Sequence, residues 1–267
     1  MELGNTMYHI GLLPEQGASY AILPGDPGRV EKIAAFLDHP QFVSQNREFT
    51  TWCGTLCGER VLVTSTGIGG PSASIALEEL CQCGVHTVLR VGTCGGMQQN
   101  ILPGDLVVAT GAIRMEGTSK EYLPPEYPAV PAFEAVQALT KAAKKHNFNC
   151  HTGVVQSKDS FYGQHSPQKM PVAEELEGKW RAWIRGGCLA SEMECAALFS
   201  VAAVRRIRAG AILLCIWNQE RAAAGIQEPE RHDTSPAIQT AVDALKLLIE
   251  QDHNAILSHE SKFTQYP

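Results

Sequence analysis

Long apolar runs are missing from this 267-residue chain, as is any N-terminal stretch that joins a basic start to an apolar middle and small residues. No membrane span and no export leader are therefore expected, and the compartment expected is the cytoplasm. Basic charge is scarce too: 22 Lys and Arg face 28 Asp and Glu, for a formal net charge of −6. Proteins that track nucleic-acid phosphates present a basic face, so no nucleic-acid partner is expected. The one basic cluster, Arg205, Arg206 and Arg208, falls at the end of an expected helix, where cations oppose the dipole. No G-x-x-x-x-G-K-[ST] segment exists to cradle a nucleoside triphosphate. The stretch Thr66-Gly67-Ile68-Gly69-Gly70-Pro71-Ser72 approaches a dinucleotide fingerprint but puts Ser72 where the third glycine belongs, so a compact strand-to-helix turn is the better reading. Cys53-x-x-x-Cys57 and Cys81-x-Cys83 lack a second Cys or His pair at zinc spacing. The nine cysteines are odd in number and lie partly in apolar segments, as at Cys81, Cys83, Cys195 and Cys215, which fits reduced thiols in a reducing compartment. No cofactor is expected from these patterns.

What is present reads as an α/β protein. Hydrophobic residues make up 44% of the chain and charged ones 19%, enough for a substantial core. Short β-branched and aliphatic runs alternate with amphipathic stretches, as when strands are joined by crossover helices. Strands are expected near 20–23, 50–56, 60–66, 87–92, 105–113, 152–156 and 211–217, and helices near 29–37, 71–83, 132–146, 192–206 and 235–250. Pro71 suits a first helical turn and Gly84 the left-handed stop that follows. Residues 122–131 hold four prolines and read as a loop; 163–187 is irregular, with room for a short helix over 174–184. Neither repeat nor linker divides the chain, so one domain over 1–267 is expected, with a polar tail from about 258.

Three segments carry chemistry. In Pro24-Gly25-Asp26-Pro27-Gly28-Arg29 a strand runs through a turn into a helix. Such a turn aims free N–H groups at one point, Gly25 admits an anion closely and Arg29 adds a fork of donors; a plain tight turn with a surface Arg fits equally well. In Arg90-Val91-Gly92-Thr93-Cys94-Gly95-Gly96 a basic residue sits inside a buried run, so Arg90 must face either an acidic side chain or a bound anion, with the Thr93 hydroxyl beside it. In Ser191-Glu192-Met193-Glu194-Cys195 two carboxylates flank a Met at an expected helix start. Either Glu alone is ordinary helix-start charge, yet a carboxylate also accepts bonds from neighbouring sugar hydroxyls and stabilises a cationic ribosyl centre.

Taken together, 24–29, Arg47-Glu48-Phe49-Thr50-Thr51-Trp52, 65–72, 89–95, Asp159-Ser160-Phe161-Tyr162-Gly163-Gln164 and 192–195 resemble the nucleoside phosphorylase family, from about His9 to the last helix. The resemblance implies a three-layer αβα sandwich around a mixed, largely parallel sheet, and a homohexamer built as a trimer of dimers whose sites are shared across each dimer. It implies phosphate-dependent cleavage of a nucleoside, with phosphate as co-substrate. Gly25, Arg29, Arg90 and Thr93 would hold phosphate, joined by Arg47 of a neighbouring subunit; Arg90, Glu194 and Thr93 would carry catalysis. Met193 and Glu194 would hold the ribose, with a neighbour's His9 at its 5′-hydroxyl. Phe161 and Gln164 would stack on and hydrogen-bond the base, Gly95 would offer backbone contact and Glu192 would support the base site. Glu48, Ile68 and Ser72 match a monovalent cation site, K+, at the dimer interface.

The base expected is uracil, so that the substrate is uridine. Purine-cleaving relatives carry an Asp after the last strand, and this chain has Asn218, which cannot serve as that acid. One departure stands out: relatives of the bacterial type carry Gly-Gln-x-Arg in the base loop, whereas here Gly163-Gln164-His165-Ser166 lacks the Arg. His165, Lys169 and Arg221 are the candidates to supply the lost donor, each reading equally well as a solvated loop residue, and Gln219 is a further candidate for the base site. The alternatives are a phosphorylase of thymidine, deoxyuridine or a purine nucleoside, a nucleoside hydrolase, and a nucleoside-binding protein without catalysis.

Overall fold

The computed structural model describes residues 6–263, with side chains described through 255. Along the chain run β1 (Tyr20–Pro24), α1 (Val30–Ala34), β2 (Asp38–Asn46), β3 (Phe49–Leu56), β4 (Glu59–Thr64), α2 (Gly70–Gln82), β5 (Thr87–Gly96), β6 (Leu106–Met115), α3 (Thr118–Tyr122) and α4 (Phe133–Lys145). There follow β7 (Cys150–Lys158), α5 (Phe161–His165), α6 (Ala173–Arg185), β8 (Ala190–Glu192), α7 (Cys195–Arg205), β9 (Arg208–Asn218), α8 (Gln219–Ala223) and α9 (Ser235–Phe263).

The strands form one sheet in the order β2-β3-β4-β1-β5-β8-β7-β6-β9, with β5 and β9 also paired. The sheet is mixed: β1 is parallel to β4 and β5, β5 to β9, β6 to β7 and β7 to β8, while β2–β3, β3–β4, β5–β8 and β6–β9 are antiparallel. Because β5 meets β9 along its length and β8 at Gly95 and Gly96, the last five strands curl round and close. The carboxyl end of β5 thus lies at the junction of an open sheet and a closed one.

Alternation along β5 sorts its side chains between two cores, since successive residues of a strand face opposite sides. Val88 and Cys94 join one core with Leu77 and Leu80 of α2 and Leu198 and Phe199 of α7. Leu89 and Val91 join the other with Ile33 of α1, Leu139 of α4 and Leu245 and Leu248 of α9. The sheet is therefore flanked by helices on both faces, and the fold is α/β. Helix α4 buries Ala135, Ala138, Leu139, Ala142 and Ala143, a stripe at helical spacing whose small side chains let it approach α9. Gly84 takes φ +87, the left-handed conformation that stops α2.

The structure departs from the pattern expected of the sequence in instructive places. Strand β2 is not anticipated because its residues are mostly exposed and polar; it is an edge strand held to β3 through two register shifts. The helix expected from 192 begins at Cys195, because Glu192 ends β8 and its carboxylate accepts from the N–H groups of Glu194 (2.8 Å) and Cys195 (2.9 Å), satisfying orphan donors of the helix start. Helix α9 continues through Phe263, past the start of the expected polar tail, whose last four residues lie outside those described. Among the described residues no helix is long and apolar enough to cross a membrane.

Candidate active site

A cleft of about 830 Å³ opens at the carboxyl ends of β1 and β5, where strand ends and helix starts converge. Its walls include Gly25, Asp26 and Arg29 from the first turn and Arg90, Thr93 and Gly95 from β5. Met193 and Glu194 come from the start of α7, and Phe161 and His165 from α5. The three chemical segments, distant in sequence, share this one space.

Arg90 organises it. The side chain is 4% exposed, and its Nη2 donates to Glu194 Oε2. Its Nη1 reaches Thr66 Oγ1 at 3.5 Å, and Nε stands 3.8 Å from Glu192 Oε2 without a hydrogen bond. Burial opposes the Arg90 charge, yet the carboxylates of Glu194 and Glu192 outweigh it and hold the group above its ordinary range. Gly92 makes the arrangement possible: a Cβ there would stand 2.6 Å from Leu213 and 3.2 Å from Arg90 Nε. Gly25 packs against the same guanidinium, since a Cβ on it would lie 3.9 and 4.0 Å from the two terminal nitrogens. Arg29 completes the corner. Its Nε lies 3.7 Å from Asp26, its Nη1 is buried with no hydrogen-bond partner, and burial pulls its pKa down, with a further push from Arg90. Two guanidinium groups that repel each other, each with an unpartnered buried nitrogen, form a place that a small anion would stabilise.

Glu194 is 5% exposed and accepts from Gly69 N–H at 2.7 Å as well as from Arg90. Each carboxylate oxygen has a second lone pair, so the group retains acceptor capacity. Glu192 stands behind it, capping α7 and accepting from Ser157 Oγ; burial first, then the Glu194 charge, raise its pKa. It braces Arg90 from outside the cleft wall.

The opposite end is aromatic. Phe161 and His165 lie with ring centroids 4.2 Å apart, and Trp217 stands 6.0 Å from His165. Burial, then the nearby Lys158, lower the His165 pKa, so the imidazole is neutral at pH 7. Lys158, the last residue of β7, lies between this aromatic group and Ser191, to whose Oγ it donates at 2.6 Å. The same hydroxyl lies 2.6 Å from both Gln156 Oε1 and Gln164 Oε1.

Other singled-out residues sit elsewhere. Gln164 lines a neighbouring cavity of about 290 Å³ together with Gln219, to which its amide donates at 3.3 Å. Arg221 is spent on Glu228 and the carbonyl of Gln99, so it ties a loop down and is not on the cleft wall. Lys169 ends a short 3-10 turn and lines neither cavity. His9 and Arg47 do not line this chain's cleft: His9 Nδ1 is 2.6 Å from Glu79, and the Arg47 guanidinium is 5.9 Å from the Tyr8 ring. Glu48 and Ile68 lie on the cleft rim, and Glu48 accepts from Ser72 Oγ at 2.8 Å. Among the described residues no group of three or more His, Cys, Asp or Glu is placed to hold a metal. Sequence reasoning misses Lys158 and Trp217. For Lys158 the signal is the one that flags Arg90, a basic residue closing a buried strand.

Residues 19–250 match the profile of the Phosphorylase superfamily. The chain is 58% identical over 245 residues to the uridine phosphorylase of Treponema pallidum, covering 92% of this chain and 95% of that protein. It is 42% identical to the uridine phosphorylase of Escherichia coli, over 91% of this chain and 98% of that one. The guanosine phosphorylase of Halorubrum lacusprofundi is 41% identical over 89% and 98% of the two chains. On the match of its family profile and the extent of these identities, the chain belongs to the phosphorylase superfamily.

Proposed function

We propose that the protein cleaves uridine with inorganic phosphate, reversibly releasing uracil and ribose 1-phosphate, in nucleoside salvage and catabolism. The observation that carries this reading is the meeting of Arg29, Arg90 and Glu194 in one cleft, with buried guanidinium nitrogens left unpartnered beside a carboxylate. The names of the relatives support it, since the proteins matched at 58% and 42% identity are uridine phosphorylases.

In this reading Gly25, Arg29, Arg90 and Thr93 hold hydrogen phosphate below the sugar, and Met193 and Glu194 hold the ribose. The C1′–N bond breaks toward the base while positive charge grows on the ribosyl carbon, stabilised by Glu194 and the waiting phosphate oxygens. Contacts that strengthen as charge develops lower the barrier; equally strong ground-state contacts do not. Phe161 stacks on the base and Gly95 offers backbone contact, with Glu192 bracing Arg90; Gln164, on the neighbouring cavity, would have to turn from Ser191 and Gln219 to reach the base. Asn218 supports the choice of a pyrimidine. Its Nδ2 donates to the carbonyls of Gln98 and Ile101 and its Oδ1 accepts from Glu220 and Arg221 N–H, so it is fully used in holding the β9–α8 turn.

The same reading assembles the chain as a homohexamer, a trimer of dimers, with sites shared across each dimer. It is supported by the position of His9 and Arg47 outside their own cleft and by Ile68, 78% exposed on its rim. Glu48 and Ser72, already hydrogen-bonded, would offer oxygens to a K+ ion at that interface. No cofactor is part of the proposal. A cytoplasmic location accords with nine free thiols.

The test is base release from uridine, thymidine and inosine, each with and without phosphate. Phosphate-dependent release, fastest from uridine, is expected. Equal release in water would replace the reading with hydrolysis, and inosine outpacing uridine would replace the base.

A further inference from the structure

Lys158 is a buried cation that makes no direct ion pair among the described residues. It is 5% exposed, at the end of β7, on the wall of the main cleft. The two carboxylates near enough to act on it, Glu192 and Glu194, are both engaged by Arg90. The groups facing it from other elements are Cys94 of β5, whose thiol is pushed well up and stays neutral, and His165 of α5, a neutral imidazole. An ammonium has three N–H donors, and among the described residues only Ser191 Oγ takes one. Burial lowers the Lys158 pKa to about 8, so at neutral pH the group is still charged and ready to strengthen a bond to an incoming anion.

Its position says which anion. The phosphate corner is furnished with Arg29 and Arg90; Lys158 lies instead under the aromatic end, with Nζ 6.0 Å from the Phe161 ring centroid. Of the other candidate donors, Arg221 is bonded to Glu228 and Gln164 to Ser191 and Gln219, and His165, a neutral imidazole, can offer an N–H but no positive charge.

We propose that Lys158 is a catalytic residue that receives the negative charge of the departing base, donating from Nζ to a ring carbonyl oxygen as the glycosidic bond breaks. The inference rests on the phosphorolysis reading above and names the group that takes the charge. A phosphate oxygen forms the new C1′–O bond, the C1′–N bond breaks, and its electron pair leaves with the base and spreads onto the carbonyl oxygen facing Lys158. The lysine keeps its proton. The proton that neutralises the base is the one brought in on hydrogen phosphate, whose ester product sheds it.

The experiment compares uridine with 5-fluorouridine, whose base is the better leaving group, in the wild-type enzyme and in Lys158→Met and Lys158→Arg. If Lys158 takes the leaving charge, K158M loses about 10²-fold in kcat/KM on uridine. The loss on 5-fluorouridine is then smaller by about tenfold, and K158R recovers part of the uridine rate. The ratio between two substrates in one variant does not depend on how much of it is folded. Equal losses on both substrates would overturn the role of Lys158 while leaving phosphorolysis intact. A wild-type enzyme that cleaves neither nucleoside with phosphate would overturn the reading beneath it.

Discussion

The two ends of the cleft are built on different principles. At the anion end the central groups are locked by the backbone or by a charge: Gly25 against the Arg90 guanidinium, Arg90 against Glu194, Glu194 against Gly69 N–H. At the aromatic end Phe161 is 51% exposed on a five-residue helix, and its neighbours are held mainly by ring contacts. A rigid end can hold one small anion in one place, as displacement at C1′ requires. A looser end leaves room for a base to enter and settle.

That contrast can be broken or sharpened by substitution. The largest effect is expected at Arg90: Arg90→Ala should lower phosphate-dependent kcat/KM by about 10³, and by leaving Glu192 and Glu194 buried without their cation it should also cost about 3–5 kcal/mol of stability. Arg29→Ala, judged by steady-state kinetics at varied phosphate, should raise the KM for phosphate without unfolding the chain. A stability change of the opposite sign is expected at Lys158. The unfolded chain keeps this proton up to about pH 10.5, whereas the folded chain releases it near pH 8. The burial penalty is thus complete below pH 8 and fades as pH rises from 8 to 10.5. Lys158→Met should therefore stabilise the fold by about 3 kcal/mol in denaturant titrations at pH 7, and by much less at pH 10. A smaller effect follows at Phe161: Phe161→Ala should weaken nucleoside turnover by about tenfold through lost stacking, with the KM for phosphate unchanged. Smallest of all is Arg221→Ala. Its guanidinium is committed to the Glu228 loop, so kcat/KM should stay within about twofold of wild type; a large loss would bring Arg221 back to the base site.

The anion end is also the end that can be read in the sequence. Arg90 in an apolar run, glycines after it and an acidic pair before a helix each carry a local cost that only a ligand or partner offsets, and around Arg90 the acidic partners, Glu194 and Glu192, are in place. The register of β5, β8 and β9 then brings the segments together, and no local pattern states that register. The aromatic end is less legible. Trp217 shows in the sequence only as the end of the strand expected over 211–217, and Gln164 lines the smaller cavity, hydrogen-bonded to Ser191. The edge strand β2 escapes notice because its exposed polar residues show no alternation, and Glu192 reads as a helix residue because a cap and a first-turn acid look alike in sequence.

The central claim is that Arg29 and Arg90 jointly bind one inorganic phosphate beside Glu194. Calorimetric titration of phosphate into the wild-type enzyme and into Arg29→Ala tests it most directly. The account predicts saturable binding at one site per chain in the wild type, weakened at least about tenfold in the variant. Equal affinity in the two proteins would contradict it.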